Sequence, residues 1–183
     1  MPTWIAMVAS GQTPVVTNNA PAEVFGGEQF CFDLTLSNSG SPGYSPYIRF
    51  IIPPEVTVDS ATCLGMAISV TTVGTFPAAP GNQLTDPLTG TAVTGTSGET
   101  FVLFQLLEGA LVAGGPDTVI EVCASIASFT GIGRALDLKT EPVYQLGDTP
   151  TGSNGPIVGS RATSTVIPTV MTFASANDAP EGE

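Results

Sequence analysis

The amino-acid sequence predicts an all-β protein, folded as an antiparallel β-sandwich with long loops. The first observation is that large apolar side chains alternate with other side chains over seven residues, from Phe30 to Leu36. The second is that 21 glycines and 16 prolines make up about a fifth of the chain, which is usual for a sandwich with many turns. The third is that no segment shows the 3.6-residue apolar period of an amphipathic helix.

The stretch from Gly26 to Pro54 is the centre of this prediction. Its first strand places four large apolar side chains on one face, because successive side chains of a strand point to opposite sides. A polar turn at 37–43 follows, and a second strand, 47–52, is stopped by two prolines. We interpret the two strands as one edge of a sandwich core. The expected core residues, including two from a later strand, are Phe30, Phe32, Leu34, Leu36, Ile48, Phe50, Ile120 and Val122.

The remaining elements follow in chain order. A first strand is expected within residues 1–25, where Pro14 and Pro21 confine it to a sheet edge. Residues 65–98 are thin in charge and rich in Thr, Gly and Pro, so they are predicted to form a long connection across the sandwich. The segment 100–107 is apolar on both faces, which indicates a buried central strand. Other predicted strands are 56–58 (ending at Asp59-Ser60), 67–73, a short one near 91–94, 118–126, 135–138, 143–146 and 161–167.

The charge of the chain excludes several classes of partner. Sixteen acidic residues face four basic ones, which gives a net charge of −12. Such a surface repels phosphate backbones and anionic lipid, so we expect neither nucleic-acid binding nor membrane binding. The sequence also lacks an apolar run of about 20 residues, so membrane insertion is not predicted.

The sequence predicts no catalytic site. It contains no histidine and no G-x-S-x-G, so neither a Ser nor a Cys triad is indicated. Four aspartates fall in predicted turns without the D-x-D-x-D-G spacing of a calcium loop, so we interpret them as solvated turn residues and expect no cofactor. They are Asp86, Asp117, Asp148 and Asp178. The aromatic residues Tyr44, Tyr47, Phe76 and Tyr144 are interpreted as closing the core or its ends, with a carbohydrate platform as the alternative.

Several motifs together resemble one known family. They are G-E-x-F-x-F-x-L-x-L-x-N-x-G at 27–40, a proline-terminated strand at 47–54, V-x-V-x-x-A at 56–61 and F-x-L-x-x-G-x-L-x-x-G at 104–114. In this order they resemble the conserved-repeat domain of large bacterial surface and secreted proteins, a family first catalogued as a domain of unknown function. The resemblance implies an immunoglobulin-like β-sandwich strung in tandem, without shared catalytic residues.

The resemblance also sets the expected organisation of the chain. Residues 1–21 are expected to form an N-terminal edge strand or extension, 22–173 the immunoglobulin-like sandwich, and 174–183 an acidic linker towards a next repeat. The apolar stretch 4–9 is too short for a signal-peptide core, so no cleaved N-terminal signal is predicted.

The three cysteines leave alternatives open. Cys31 and Cys123 both fall on the outward side of their strands, and in an immunoglobulin-like sandwich these strands can be sheet neighbours that allow a bridge. Cys63 can instead pair with either one, and three reduced thiols are the remaining alternative. We expect the Cys31–Cys123 disulfide, because the implied setting is extracellular.

The predicted function is therefore that of a non-catalytic structural module of a bacterial cell-surface or secreted adhesin-type repeat protein, serving as stalk, spacer or adhesion unit. Its expected partners are neighbouring repeats, surface glycans or other copies of the chain. One alternative is a module that binds glycan or Ca²⁺ through residues 65–98. A second alternative is a self-assembling filament or virion-surface subunit.

Overall fold

The computed structural model describes residues 14–106, 109–112, 114–127, 131–147, 150–151 and 155–170. Sixteen strands lie in these ranges. In chain order they are β1 (Pro14–Asn18), β2 (Glu23–Phe25), β3 (Gln29–Asn38), β4 (Gly43–Tyr44), β5 (Pro46–Ile52), β6 (Val56–Cys63), β7 (Met66–Ala67), β8 (Ser69–Thr75), β9 (Gln83–Thr85), β10 (Ala92–Thr94), β11 (Thr100–Gln105), β12 (Ala110–Leu111), β13 (Thr118–Ile126), β14 (Leu136–Tyr144), β15 (Ile157–Val158) and β16 (Ala162–Thr169).

The strands build a sandwich of two main sheets. The first sheet has the order β1-β3-β13-β6-β7, and the second has the order β2-β16-β14-β5-β11-β8, with β15 paired to β14. All neighbours are antiparallel except β2 and β16, which run parallel. No described residue is helical, and none of the described segments is therefore a helix that could cross a membrane. The prediction of an all-β, immunoglobulin-like sandwich is confirmed.

The core between the sheets is formed by the inward-facing side chains of the alternating strands. Of the eight expected core residues, seven are buried, and Phe30 is half-buried against the others. In β13 the residues Ile120, Val122, Ala124 and Ile126 are buried while those between them face outward. The two-residue period of the sequence therefore located this face correctly.

The sequence predicts that the two strands of the stretch Gly26–Pro54, β3 and β5, form one edge of the core. This prediction is wrong, because the two strands lie in different sheets. β3 lies between β1 and β13 in the first sheet, whereas β5 lies between β11 and β14 in the second. The polar segment after β3 therefore crosses the sandwich. All seven residues of β5 are buried, which a strand at the centre of a doubly covered sheet requires.

The connection 65–98 is more regular than predicted. It contains β7, the edge strand β8 and a hairpin of β9 and β10, and so holds more strands than the two expected within it. The short strands expected at 67–73 and near 91–94 correspond to β8 and β10. Further strands are longer than predicted, since β6 continues to Cys63 and β14 joins two predicted segments through Pro142.

Residues 76–99, which we call the cover, pack on the outer face of the second sheet. They bury a second apolar cluster, because β5 and β11 carry apolar side chains on both faces. Gly95 allows this close approach, since an added Cβ would collide with the ring of Phe76. The buried members of the cluster are Tyr47, Ile51, Phe76, Val93, Phe101, Leu103 and Val143.

Candidate functional site: an ion-pair clamp beneath the cover

A buried ion pair lies where the cover meets the second sheet. Arg49 is on β5, and Asp86 follows β9 in the hairpin of the cover. The Arg49 Nε donates to Asp86 Oδ2 at 2.7 Å, and the two side chains are only 4% and 0% exposed. The Tyr47 hydroxyl donates to the same oxygen, and the Leu88 N–H donates to Oδ1 at 2.9 Å. Both carboxylate oxygens of Asp86 are thus engaged within the fold.

Further polar contacts extend this clamp along β14 and the cover. The Arg49 Nη2 donates to Thr91 Oγ1 at 2.7 Å, and its Nη1 lies 3.5 Å from Glu141. Arg161 pairs with Glu141 at 2.6 Å and donates to the Thr94 carbonyl at 3.0 Å. The contacts of Arg49 with Thr91 and of Arg161 with Thr94 join the cover to the sheet, and Glu141 holds the two arginines in place.

The four basic side chains all take part in internal ion pairs. Lys139 pairs with Glu99 at the end of the cover, and Arg134 pairs with Glu55, which lies between β5 and β6. With Arg49 and Arg161 already described, all four basic residues have acidic partners. Because the sequence holds sixteen acidic residues, acids outnumber these paired cations, and the protein presents an anionic surface.

The environment keeps the buried pair ionised. Burial alone would raise the pKa of Asp86, but the hydrogen bonds from Tyr47, Leu88 and Arg49 outweigh it and hold this pKa below its ordinary value. Burial would likewise lower the pKa of Arg49, yet its neighbours Tyr47 and Asp86 keep it raised. Such a charge-assisted cluster stabilises a single position of the cover, provided that every member keeps its partner.

The interpretation of Asp86 as a solvated turn residue was wrong. A carboxylate with all its oxygens engaged and no solvent contact is a structural anion. The signal that points to it is the lone arginine inside the apolar strand 47–52, since a buried cation needs a buried anion. Asp117 is exposed, whereas Asp148 and Asp178 lie outside the described residues. Within the described ranges, no group of three or more potential metal-binding side chains comes together.

The aromatic residues close the core instead of forming a platform. Tyr47, Phe76 and Tyr144 are buried and Tyr44 is half-buried. Gly43 lies so close to Tyr144 that an added Cβ would collide with its ring. The Tyr144 hydroxyl makes no hydrogen bond with any described residue, and burial raises the pKa of Tyr144 to about 12.

We expect stability to fall at alkaline pH. Burial, together with the hydrogen bond to Asp86, raises the pKa of Tyr47 as well, so both tyrosines stay protonated in the fold. In the unfolded chain they ionise near pH 10, so the stabilising effect is complete below that pH and is lost as pH rises above it. Urea unfolding between pH 8 and 11 measures this loss, and Tyr144→Phe should reduce it. A midpoint that stays constant to pH 11 would contradict the prediction.

A cavity of about 320 Å³ lies beside the clamp, at the end of the sandwich. The cover contributes Leu88 to its wall, and the sheet contributes Ser45, Gln105 and Gln145. The Gln145 amide donates to the Leu88 carbonyl at 3.0 Å, so this wall is ordered by a direct contact. Its polar groups are amides and a hydroxyl, which suit a neutral polar ligand better than an ion.

Cys31 and Cys123 face each other across β3 and β13. They form a register pair with Cα atoms 4.1 Å apart, and the structure joins them by a disulfide with an S–S distance of 2.03 Å. The bond lies on the outer face of the first sheet. Cys63 takes no part in it and is buried at the end of β6.

Loss of this bond should lower the free energy of unfolding by about 2–4 kcal/mol, because the crosslink spans 92 residues and restricts the unfolded chain. The double variant Cys31→Ser, Cys123→Ser tests this in chemical denaturation, with Cys63 retained in both proteins. Thiol titration of the denatured, unreduced protein should find one thiol per chain. Three thiols would show that the bond does not form.

Comparison with known proteins finds similarity in fold and none in sequence family. Neither a family model nor a curated protein sequence matches the chain. Among solved structures, the similar ones include AvmM, described as catalysing macrocyclization in alchivemycin A biosynthesis, with 12% identity, a TM-score of 0.53 and coverage of 90% of this chain and 92% of that one. A cohesin module from Clostridium perfringens family 33 glycoside hydrolase has 12% identity and a TM-score of 0.49 over 88% and 98% of the two chains. A putative membrane-anchored protein from Corynebacterium diphtheriae has 14% identity and a TM-score of 0.49 over 90% of this chain and 37% of that one. At 12% identity, the likeness to AvmM is one of fold alone.

Proposed function

We propose that this chain is a non-catalytic structural module of a bacterial cell-surface or secreted repeat protein, acting as a stalk or spacer unit. The observation that carries the proposal is the position of the two ends of the described fold. Pro14 pairs with Asn38 at one end of β3, whereas the Thr169 carbonyl accepts from Gly26, just before the other end of β3. Pro14 and Thr169 therefore lie at opposite ends of the sandwich, about 30 Å apart along a ten-residue strand.

This arrangement suits a unit that is loaded along its strands. A pull on the two ends acts along β1 at one end and β16 at the other. Because β2 runs parallel to β16, the pull shears all the hydrogen bonds of that pair together. Copies joined end to end would then form an extended stalk.

The cover supports the same proposal. Residues 65–98 were the expected place for a binding loop, yet their distal part is fixed to the sheet by an apolar cluster and by three of the four cations. A segment held in this way adds rigidity to the second sheet. The acidic surface keeps neighbouring stalks apart by like-charge repulsion.

The gene on both sides of these residues tests the proposal. We expect further copies of G-E-x-F-x-F-x-L-x-L-x-N-x-G in the same reading frame, separated by linkers such as the proposed 174–183. A gene that encodes this unit alone, without a neighbouring repeat, would contradict a stalk.

A ligand-binding module is the second candidate, favoured by the cavity between Leu88 and the two glutamines. The neutral polar wall fits a glycan hydroxyl better than Ca²⁺, because both oxygens of Asp86 are engaged elsewhere. Retention on a glycan array that is lost in Gln105→Ala would support this candidate.

A further inference from the structure

The outer edge of the second sheet is open along β8. Among the described strands β8 pairs with β11 alone, and its residues Ser69–Thr72 are all exposed. An edge of this kind offers unpaired backbone groups to another strand, and proteins usually protect it with charge, proline or a bulge. Ser69–Thr72 contains neither charge nor proline, and the register shift of β8 lies beyond Thr72.

Exposed apolar side chains lie on β8 and on the segment that leads into it. Val70 on β8 is 36% exposed, and Leu64 and Met66, at the neighbouring edge of the first sheet, are 69% and 55% exposed. Beside them the two sheets diverge into a cleft of about 200 Å³. The apolar residues of its wall are Ile52, Pro54, Val56, Val58, Val70 and Val102. We call residues 64–72 the open edge.

The open edge also lies in the longest uncharged stretch of the sequence, Ser60–Thr85. Elsewhere two copies repel each other, since the net charge is −12 and all four cations already have acidic partners. The residues of β8 carry no charge, so they add no repulsion of their own between two copies that meet along this strand.

We propose that the open edge is an interface between two copies of this chain. The β8 strands pair antiparallel about a two-fold axis at Thr71, which sets Val70 of each copy opposite Thr72 of the other. The two second sheets then become one continuous sheet, and each copy covers the cleft of its neighbour. A two-fold pairing of this kind is closed, so it yields dimers and not filaments.

The chemistry of the edge favours a second copy over a foreign partner. A cationic protein would be drawn to exposed acids, and the exposed β8 residues Ser69–Thr72 include none. A second copy needs no charge complementarity here, because the side chains of β8 are uncharged. Its threonines and valines also pair well across neighbouring strands. The interface does not depend on neighbouring repeats, so it stands or falls separately from the stalk proposal.

Sedimentation velocity between about 10 µM and 1 mM tests this interface, because a short edge of this size gives a weak dimer. The wild type should shift from monomer to dimer with concentration, and more so in 0.5 M NaCl, which screens the repulsion between the acidic copies. Thr72→Lys should weaken dimerisation at least tenfold, and Thr71→Lys should do the same. The matched control is Thr17→Lys, which adds the same charge to an exposed position on β1 and should leave dimerisation unchanged. Unfolding midpoints of the three variants establish that they fold.

A wild type that stays monomeric to 1 mM in both salts would overturn the proposal. So would a dimer that is weakened equally by all three lysine variants, or one that weakens as salt rises, since these results would indicate a contact made by charge elsewhere on the surface.

Discussion

Replacing Asp86 with alanine should lower the free energy of unfolding by about 3–5 kcal/mol. The substitution leaves the Arg49 guanidinium buried without its closest anion and removes the acceptor of the Tyr47 hydroxyl. Uncompensated charges of this kind are among the most destabilising single changes, and the more distant Glu141 replaces only part of the interaction. Urea denaturation at pH 7 measures the loss.

Two controls separate the buried charge from general disruption of the cover. The double variant Arg49→Met, Asp86→Leu removes both charges and should recover most of the lost stability, since apolar side chains of similar size can replace a buried pair. Arg134→Ala breaks a pair whose arginine side chain is 67% exposed and whose Glu55 side chain is 12% exposed, so it should cost clearly less than Asp86→Ala, where both partners are buried. If Asp86→Ala costs no more than Arg134→Ala, the clamp does not fix the cover.

The acid limb of the stability profile should depend on the same residue. Because the pKa of Asp86 is lower in the fold than in the unfolded chain, its contribution is present above the ordinary carboxylate pKa and is lost as pH falls through the folded value. The difference in stability between wild type and Asp86→Ala should therefore shrink in acid.

Replacing Phe32 with alanine should cost about 3–5 kcal/mol through a different mechanism. Phe32 is 5% exposed on β3, and its ring lies between those of Phe30 and Phe50, with centroids 5.8 Å and 6.2 Å away. Phe50 belongs to the opposite sheet, so the substitution opens a cavity in the contact that holds the sheets together.

Phe30→Ala is the matched control for this second prediction. It removes the same side chain from the same strand and face, but at a half-buried position near the strand end. The remaining structure and water can fill its place, so its cost should be clearly smaller. Equal losses in urea denaturation would show that Phe32 is not central to the core.

Those elements whose apolar side chains alternate were predictable from sequence. The inward face of β13 and the core positions of β3 and β5 follow directly from a two-residue period, because one face of each strand is buried. The double-sided burial of β11 was also predictable, since no polar face exists in 100–105.

What covers that second face could not be read from the sequence. Residues 76–99 show no sustained apolar period. They bury only a few apolar side chains, such as Phe76 and Val93, against the sheet, and turns separate these side chains in the sequence. The clamp was missed for a related reason, since Arg49 and Asp86 are far apart in the chain and only the fold brings them together. An arginine within an apolar strand is the signal that points to such a pair.

Unfolding by force, applied to the ends of the module in a chain of several copies, tests the structural role most directly. We expect each copy to unfold in a single resolved event. With the disulfide intact only about 63 of the roughly 155 residues between Pro14 and Thr169 are released, so at ~3.6 Å per residue the gain in length is about 200 Å beyond the folded separation. After reduction it should rise to about 530 Å. Gradual lengthening without a resolved event in either state would contradict a module that bears load along its strands.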